Sequence, residues 1–319
     1  MTLSLDRRAA FKFTALAAAC LTPLGRALAQ VAGMLPIQLS MWGAKRAFRD
    51  HPRAVIVSYP IRFILGAEAN GGGRVGIYLT LRGPTEADMQ ALTAEAHKDL
   101  CDRLAAIGLP VVPAAEMLAN PEFQLLAKTP GGAAYNEGVL DPMGKRLWYI
   151  TGCPDAPLHA KWGSNNGAAE FSSIGQTRGT SRTLNAVALI PYLTLEFTTL
   201  AGAVNSGSRG STAWVGGEIL FGYKPHSITY YTSGGKRSID NLGGGIVPKG
   251  RVLIAPSKLP GQLNSGVQSP NAELVKRMGR ARIDEFAVDM AAWREWVRLA
   301  YRSYNAELAR EIAKERGGK

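Results

Sequence analysis

Three short segments in the second half of the chain mix glycine, hydroxyl side chains and cations, a combination that suits anion binding. Backbone amides in glycine-rich turns form anion-binding nests, and arginine grips phosphate or carboxylate with two hydrogen bonds. The segments are residues 176–182, 207–211 and 233–238, each expected to be a loop. Gathered at one end of a sheet, they would form an anion site; the alternative is three unrelated hairpin turns. The candidate ligands are Arg178, Arg182, Arg209, Lys236 and Arg237.

Cysteine and histidine offer little obvious chemistry. Cys101 and Cys153 can pair as a single disulfide in an oxidising compartment, and two free thiols are the alternative. Cys153 and His159 are close in sequence, but we interpret them as a structural cysteine and a loop histidine. His97 lies one step off the apolar stripe of a predicted helix and is expected to be exposed. No two histidines stand at metal-ligand spacing, so no metal site is expected.

Acidic residues leave a hydrolytic alternative open. Glu170, Glu196, Glu218 and Asp240 lie in or beside the β-rich half of the chain. Glu196 alternates with apolar neighbours and is expected to face solvent. If it is buried instead, its pKa rises and it could act as a general acid.

Familiar nucleotide and catalytic motifs are absent or misplaced. Gly71, Gly73 and Gly76 fit the spacing G-x-G-x-x-G, but a strand follows them instead of a helix, which predicts a hairpin turn. Residues 138–145 hold one residue too many for a phosphate loop. The sequence contains no G-x-S-x-G, H-E-x-x-H or C-x-x-C. No cofactor is therefore expected.

The elements that would carry these residues begin with an α/β lobe. An apolar stripe at steps of three and four predicts its long helix; the stripe is Met89, Leu92, Ala96, Leu100, Leu104 and Ile107. The predicted order is two strands at 54–65 and 75–81, the long helix, a strand at 109–112, a helix at 114–119 and a last helix from Pro121. Thr85 with Asp88 is expected to cap the start of the long helix, and Gly108 is expected to end it. Asn120 is the expected cap of the last helix, with Pro121 as its first residue. This order resembles the small α/β lobe of the curli secretion lipoprotein family and the amino-terminal domain of TolB.

The middle of the chain is β-rich. Strands are predicted at 146–151, 186–200 and 250–255, and strands at 212–223 and 227–232 are expected to be neighbours. Pro191 lies inside the second of these and indicates an edge strand or a bulge, since a proline cannot donate to a sheet ladder.

A long amphipathic helix is predicted at the carboxy terminus. Ser269 and Pro270 open the segment, and one apolar face runs from Ile283 onward through Phe286, Met290, Trp293, Val297, Tyr301, Tyr304, Leu308 and Ile312. The protein's own sheet is the expected partner of this aromatic face, and a second protein chain is the alternative.

Together the patterns predict an α/β protein in the broad sense, with helices and strands mixed along the chain as in an α+β fold. The order is an amino-terminal ββαβα lobe, a β-rich middle and a long carboxy-terminal helix. The predicted regions are a signal peptide at 1–29, the lobe at 30–135, the β-rich region at 136–268 and the helical segment at 269–319.

The first 29 residues read as an export leader. Arg7, Arg8 and Lys12 form a positive region, an apolar run follows at 13–21, and a small-x-small cleavage site ends at Ala29. The run is shorter than the roughly 20 residues of a membrane-spanning helix, so no transmembrane segment is expected in the mature chain. Residues 7–12 resemble the twin-arginine signal, which implies that export machinery reads both arginines.

Two alternatives to that route stay open. General secretion needs only the positive charge. A lipoprotein reading would place the mature terminus at Cys20, which follows three alanines, and would anchor the chain to a membrane.

The charge balance bears on the partner. The chain has a formal net charge of +12, which suits an anionic partner or simply keeps the protein soluble. In an exported protein nucleic acid is the least available anion, so none is expected. We therefore expect a periplasmic envelope protein with a non-catalytic binding or assembly role, with an anion as the candidate ligand. The alternative is an exported hydrolase that uses acidic residues not identifiable from the sequence.

Overall fold

A computed structural model describes most of the chain beyond the leader. The described residues are 34–35, 37–71, 75–127, 133–134, 136–140, 146–159, 174–197, 199–207, 210–218, 222–223, 228–233, 243–249, 252–253, 261–265 and 282–317. The chain divides into Met1–Leu35 and Pro36–Lys319, and the fold given below is that of the second unit. The predictions for residues 1–29 therefore lie outside the described residues.

Six helices lie within the described residues. They are α1 (Ala47–Asp50), α2 (Glu86–Ala106), α3 (Ala114–Leu118), α4 (Pro121–Ala127), α5 (Ile174–Thr183) and α6 (Met290–Arg316).

Helix α2 starts and stops where the sequence predicts. Thr85 Oγ1 accepts a hydrogen bond from the Asp88 N–H at 3.2 Å, and the Asp88 carboxylate accepts one from the Thr85 N–H at 3.1 Å. Just past the helix, Gly108 has φ +74°, a conformation that glycine adopts without strain. The predicted stripe from Met89 to Leu104 is buried. Asn120 also caps α4 as predicted, because its Oδ1 accepts from the Glu122 and Phe123 amides.

The described strands are short, apart from two of eleven residues each. They are β1 (Leu39–Gly43), β2 (Arg53–Ile56), β3 (Ile61–Gly71), β4 (Val75–Arg82), β5 (Ala133–Ala134), β6 (Asn136–Leu140), β7 (Arg146–Thr151), β8 (Leu158–His159), β9 (Ala186–Glu196), β10 (Thr199–Gly207), β11 (Gly210–Glu218), β12 (Gly222–Tyr223), β13 (Ile228–Thr232), β14 (Gly244–Pro248), β15 (Val252–Leu253), β16 (Gly261–Ser265) and β17 (Arg282–Val288).

One mixed sheet dominates the part of the chain that the structure describes. Its main path runs β1-β14-β13-β9-β3-β4-β17-β16, and β2, β6, β7, β12 and β15 pair off this path. The predicted hairpin of β3 and β4 is present, with Gly71 opposite Val75. The sheet combines strands from the lobe, the middle and the carboxy-terminal region, so the fold is mixed α+β.

The predicted strand at 54–65 is two strands. β2 and β3 both run parallel to β9, and residues 57–60 join them without ladder pairing of their own. The strand predicted at 109–112 is reduced to a single bridge between Val111 and Ala54.

Pro191 lies in the central strand β9, so the predicted edge or bulge is wrong. The Val57 N–H donates to the Leu189 carbonyl at 3.0 Å, and the Leu193 N–H donates to the Pro60 carbonyl at 3.1 Å. Because backbone groups alternate sides along a strand, the nitrogen of Pro191 faces the gap between those two bonds. At the junction of β2 and β3, therefore, the ladder has no backbone hydrogen bond that position 191 would have to donate, and proline has no N–H to donate.

Two other pairings differ from those expected. β11 pairs with β10, while β12 and β13 both pair with β9, so the segments at 212–223 and 227–232 are not hairpin partners.

Residues 282–288, predicted as helix, form β17 and run parallel to β4. Helix α6 begins after them at Met290, where the Asp289 carboxylate accepts a hydrogen bond from the Ala292 amide at 2.8 Å.

Helices α2 and α6 cover one face of the sheet. Phe63 of β3 meets Trp293 of α6 with ring centroids 5.9 Å apart, and Tyr304 bonds Thr229 of β13 at 2.9 Å. The aromatic face of α6 thus packs on the protein's own sheet, as expected. Arg62, next to Phe63 and facing the other way, lies over the rings of Trp148 and Tyr192.

Candidate functional site

The first predicted anion-binding segment is helical. Residues 176–182 belong to α5, so the predicted loop is wrong there. Thr177, Thr180 and Ser181 are buried, and this spacing of three and four residues marks the face that α5 turns to the protein. The helix presents Arg182 to solvent, whereas Arg178 is half-buried.

Helix α5 brings the first segment to the start of the third. Ser181 Oγ lies 3.5 Å from the carbonyl oxygen of Thr232, the last residue of β13, and also bonds the Ala186 carbonyl. Ser233, the first residue of the third segment, is buried at the same corner. Lys236 and Arg237 follow within a few residues and lie outside the described residues.

The second segment is a tight hairpin. Gly207 pairs with Gly210 at the end of the β10–β11 ladder, which is a two-stranded sheet of its own. Arg209 lies outside the described residues. The described contacts therefore join the first segment to Thr232, the residue before the third segment, and place Gly207 and Gly210 of the second segment at the end of the β10–β11 ladder.

A cavity of about 270 Å³ opens beside α2, at a place that sequence reasoning did not select. One wall is apolar and comes from β2 and the chain leading into α3. The other wall carries His97, Lys98 and Cys101 of α2 together with Asp155. The apolar lining consists of Ile56, Val111, Val112, Pro113, Ala114 and Met117. A mixture of apolar wall and few polar groups is typical of small-ligand sites, although this one is at the small end of their range.

His97 is buried, so its predicted exposure is wrong. Only 8% of the residue is accessible, and its ring meets the edge of the Tyr59 ring at 6.0 Å between centroids. Its Nε2 lies 3.6 Å from Cys101 Sγ, one helical turn further along. The side chain falls between the sheet and the helix because α2 buries a wider face than its stripe of large apolar residues.

Burial keeps this thiol and this imidazole uncharged. It raises the pKa of Cys101 to about 12, with the nearby Cys153 thiol adding to the rise. Burial also lowers the pKa of His97, and the charge of Asp155 only partly opposes that effect. At neutral pH the pair is thus a protonated thiol beside a neutral imidazole. Such a pair offers hydrogen bonds to a ligand, whereas a thiol nucleophile needs a lowered pKa.

Cys153 lies in a buried turn near the same cavity. Both Cys101 and Cys153 are free thiols in this structure, and the predicted disulfide stays a prediction. Burial raises the pKa of Cys153 to about 11. His159 lies in β8 and pairs through its backbone with Ala133 of β5.

Glu196 is also buried, with 5% accessible, so the expected solvated position is wrong. Its strand is central, and β12 runs alongside it with Gly222 opposite Glu196. Glu218 ends β11 opposite Thr199. Glu170 and Asp240 lie outside the described residues.

Within the described part of the chain, no three side chains of histidine, cysteine, aspartate or glutamate come together as a metal site would need. None of the described helices combines the length and apolar character required to cross a bilayer.

Comparison with known proteins adds no relative. No protein-family model matches the chain, and neither the curated proteins nor the solved structures give a match. The site must therefore be interpreted from its own residues.

Proposed function

We propose that this chain is an exported cell-envelope protein of the periplasm that binds an anionic partner and has no catalytic step of its own. The leader at 1–29 supports the compartment, and export machinery that reads Arg7 and Arg8 is its first partner. The full sequence has a net charge of +12, of which residues 1–29 hold four cations and one acid, so removal of the leader leaves +9, which favours an anion. Phosphate groups of membrane lipids are anions that arginine binds with two hydrogen bonds.

The contact between α5 and β13 carries this proposal. Ser181 Oγ and the Thr232 carbonyl oxygen lie 3.5 Å apart. In the sequence, Arg182 follows Ser181 directly, and Lys236 and Arg237 follow Thr232 by four and five residues. We call α5 together with residues 233–238 the cationic corner. These two segments contribute Arg182, Lys236 and Arg237 together with serine and glycine residues, a composition that suits a phosphate group.

The cavity favours binding over catalysis. A protonated Cys101 with a pKa of about 12 is a poor nucleophile at neutral pH. A carboxylate-based hydrolase needs two acidic groups at one site, and Asp155 is the single acid in the lining of this described cavity.

Vesicle binding tests the proposal. The purified full chain is sedimented with vesicles of phosphatidylglycerol and, separately, with vesicles of phosphatidylcholine. A triple variant, Arg182→Gln with Lys236→Gln and Arg237→Gln, removes three charges from the cationic corner. The matched control, Arg49→Gln with Lys249→Gln and Arg302→Gln, removes three charges from exposed positions elsewhere.

We expect binding to phosphatidylglycerol only, with a loss of roughly tenfold or more in the corner variant and less than threefold in the control. Each phosphate contact contributes to affinity through release of counterions, so the corner variant should also show a weaker dependence on salt. Equal losses in both variants would mean that overall charge alone drives binding, and the proposed corner would be wrong.

A further inference from the structure

Two opposite charges line the cavity beside α2, and only one of them is paired with another side chain of the described chain. The Lys98 ammonium is held by the Asp102 carboxylate at 2.6 Å, one helical turn further along α2. The exposed Asp155 lines the cavity from the turn at 153–156, and within the described residues no ion pair includes its carboxylate. A ligand therefore meets a carboxylate that still needs a counterion beside a cation that already has one.

The electrostatic potential on this wall favours positive charge. Burial is the main cause of the raised pKa of Cys101, but the charges of Asp102 and Asp155 add to the rise, and each outweighs the opposite effect of Lys98. Burial lowers the pKa of His97 and keeps its imidazole neutral, while the charge of Asp155 acts in the opposite direction. Apart from the paired Lys98, the described lining thus holds no cation that would repel a positively charged ligand.

The opposite wall is apolar and held in place by backbone hydrogen bonds. The Val112 N–H donates to the Ala54 carbonyl at 2.8 Å, and the Ala54 N–H donates to the Pro110 carbonyl at 3.0 Å, which ties the chain before α3 to β2. Ile56, Val112 and Met117 line the cavity and are almost fully buried. Because these side chains are already packed, a ligand can contact them without ordering the wall first.

We propose that this cavity binds a small organic cation, a primary ammonium group joined to a short apolar body. The ammonium group pairs with Asp155, and the apolar body lies against Ile56, Val112 and Met117. The volume of about 270 Å³ lies below the range of roughly 300–1,000 Å³ that suits drug-sized ligands, so the ligand is a compact molecule. This inference is independent of anion binding at the cationic corner, because the corner contributes no residue to the described lining.

Calorimetric titration of the purified full chain with matched probes tests the preference for a cation. Hexylammonium, hexanol and hexanoate share one apolar body and differ in the charge of the head group. Hexylammonium should bind roughly fivefold or more tightly than hexanol, and hexanoate should not displace it. Propylammonium should bind roughly tenfold or more weakly than hexylammonium, because its shorter body covers less of the apolar wall.

Two pairs of variants test whether these probes bind in the cavity. Asp155→Asn should weaken the binding of hexylammonium roughly fivefold and leave that of hexanol unchanged, whereas Asp50→Asn, at an exposed position of α1, should change neither. Ala114→Leu fills the cavity from α3 and should abolish the binding of both probes. Its control is Ala115→Leu at the exposed neighbouring position, which is outside the lining and should leave both affinities unchanged. Near-ultraviolet circular dichroism checks that each variant is folded.

The comparison of probes on the parent protein needs no variant. If hexanol or hexanoate binds there as tightly as hexylammonium, the cavity does not select a cation and the proposal is wrong. If folded Ala114→Leu binds hexylammonium as the parent does, the site lies elsewhere. An unchanged affinity in Asp155→Asn would remove the counterion on which the proposal depends.

Discussion

The Tyr59 hydroxyl donates a hydrogen bond of 2.8 Å to Asn305 Oδ1, and both residues are fully buried. Asn305 in turn donates to the Ala96 carbonyl at 2.9 Å and to Asp99 at 3.0 Å. One amide thus joins the junction of β2 and β3, helix α2 and helix α6. Segments far apart in sequence meet at this point, which makes it the polar centre of the core beneath the two helices.

Asn305→Ala should destabilise the protein by roughly 3 kcal/mol, because it leaves the Tyr59 hydroxyl and the Ala96 carbonyl buried without this partner. Urea unfolding of the parent and the variant measures the change. The exposed substitution Arg302→Ala, one helical turn away, should cost under about 0.5 kcal/mol. If both variants unfold at the same urea concentration, Asn305 does not hold these elements together.

Asp88 should make the protein sensitive to acid. Hydrogen bonds from Thr85, followed by those from Arg294, lower the pKa of Asp88 below its ordinary value. A carboxyl with a lowered pKa in the folded state stabilises that state above its unfolded pKa of about 3.9, and this stabilisation is lost as the pH falls through the folded value.

The free energy of unfolding should therefore drop between about pH 5 and pH 2 in the parent, and less steeply in Asp88→Asn. Denaturant unfolding across this range gives the slope. Asp50→Asn, a change at another exposed carboxylate, should leave the slope of the parent intact. Identical slopes in the parent and Asp88→Asn would show that the hydrogen bonds from Thr85 and Arg294 do not lower the pKa of Asp88 in solution.

Gly244 should tolerate no side chain. A Cβ at this position would collide with the Trp42 carbonyl oxygen and the Tyr231 hydroxyl. Both atoms would lie closer to it than any atom lies to a Cβ in real proteins. Tyr231 donates to that same carbonyl at 2.7 Å, so relief of the clash would also break this bond. Gly244→Ala should lower the melting temperature by several degrees, as overpacking of about 1–3 kcal/mol implies. Gly317→Ala, whose Cβ would meet its nearest atom at 3.4 Å, is the control and should change little.

Local signals in the sequence predicted local structure well. The capping box of Thr85 and Asp88, the left-handed Gly108 and the cap at Asn120 each depend on a few consecutive residues, and all three are present. The mixed α+β class followed from the order of such elements.

The wrong predictions fall where pairing between strands that are distant in sequence determines the local structure. The spacing of Ile283 and Phe286 fits a helix, yet pairing with β4 makes the segment a strand and buries Asp284. Pro191 is acceptable in a central strand only because the β2–β3 junction lies opposite it. The cavity was missed because its walls come from α2, β2 and the turn at Asp155, although the spacing of His97 and Cys101 on one helix was visible in the sequence.

The leader gives a prediction that needs no structure. A lysine keeps the charge of an arginine but lacks its planar guanidinium, so Arg7→Lys with Arg8→Lys should block the twin-arginine route. The precursor should then stay in the cytoplasm with residues 1–29 attached, as fractionation and mass measurement of the amino terminus will reveal. If the double variant still emerges beginning at Gln30, general secretion is the route. A lipidated terminus at Cys20 would refute both.

Hydrogen exchange of the full chain, measured with and without phosphatidylglycerol vesicles, tests the central claim most directly. If the cationic corner binds the anionic partner, amide protection should concentrate in peptides that cover residues 176–182 and 233–238. Peptides that cover residues 45–49, another basic stretch, serve as an internal comparison and should exchange at unchanged rates. Protection that is spread over every basic segment, or that is absent from the corner while vesicles are bound, would contradict the account.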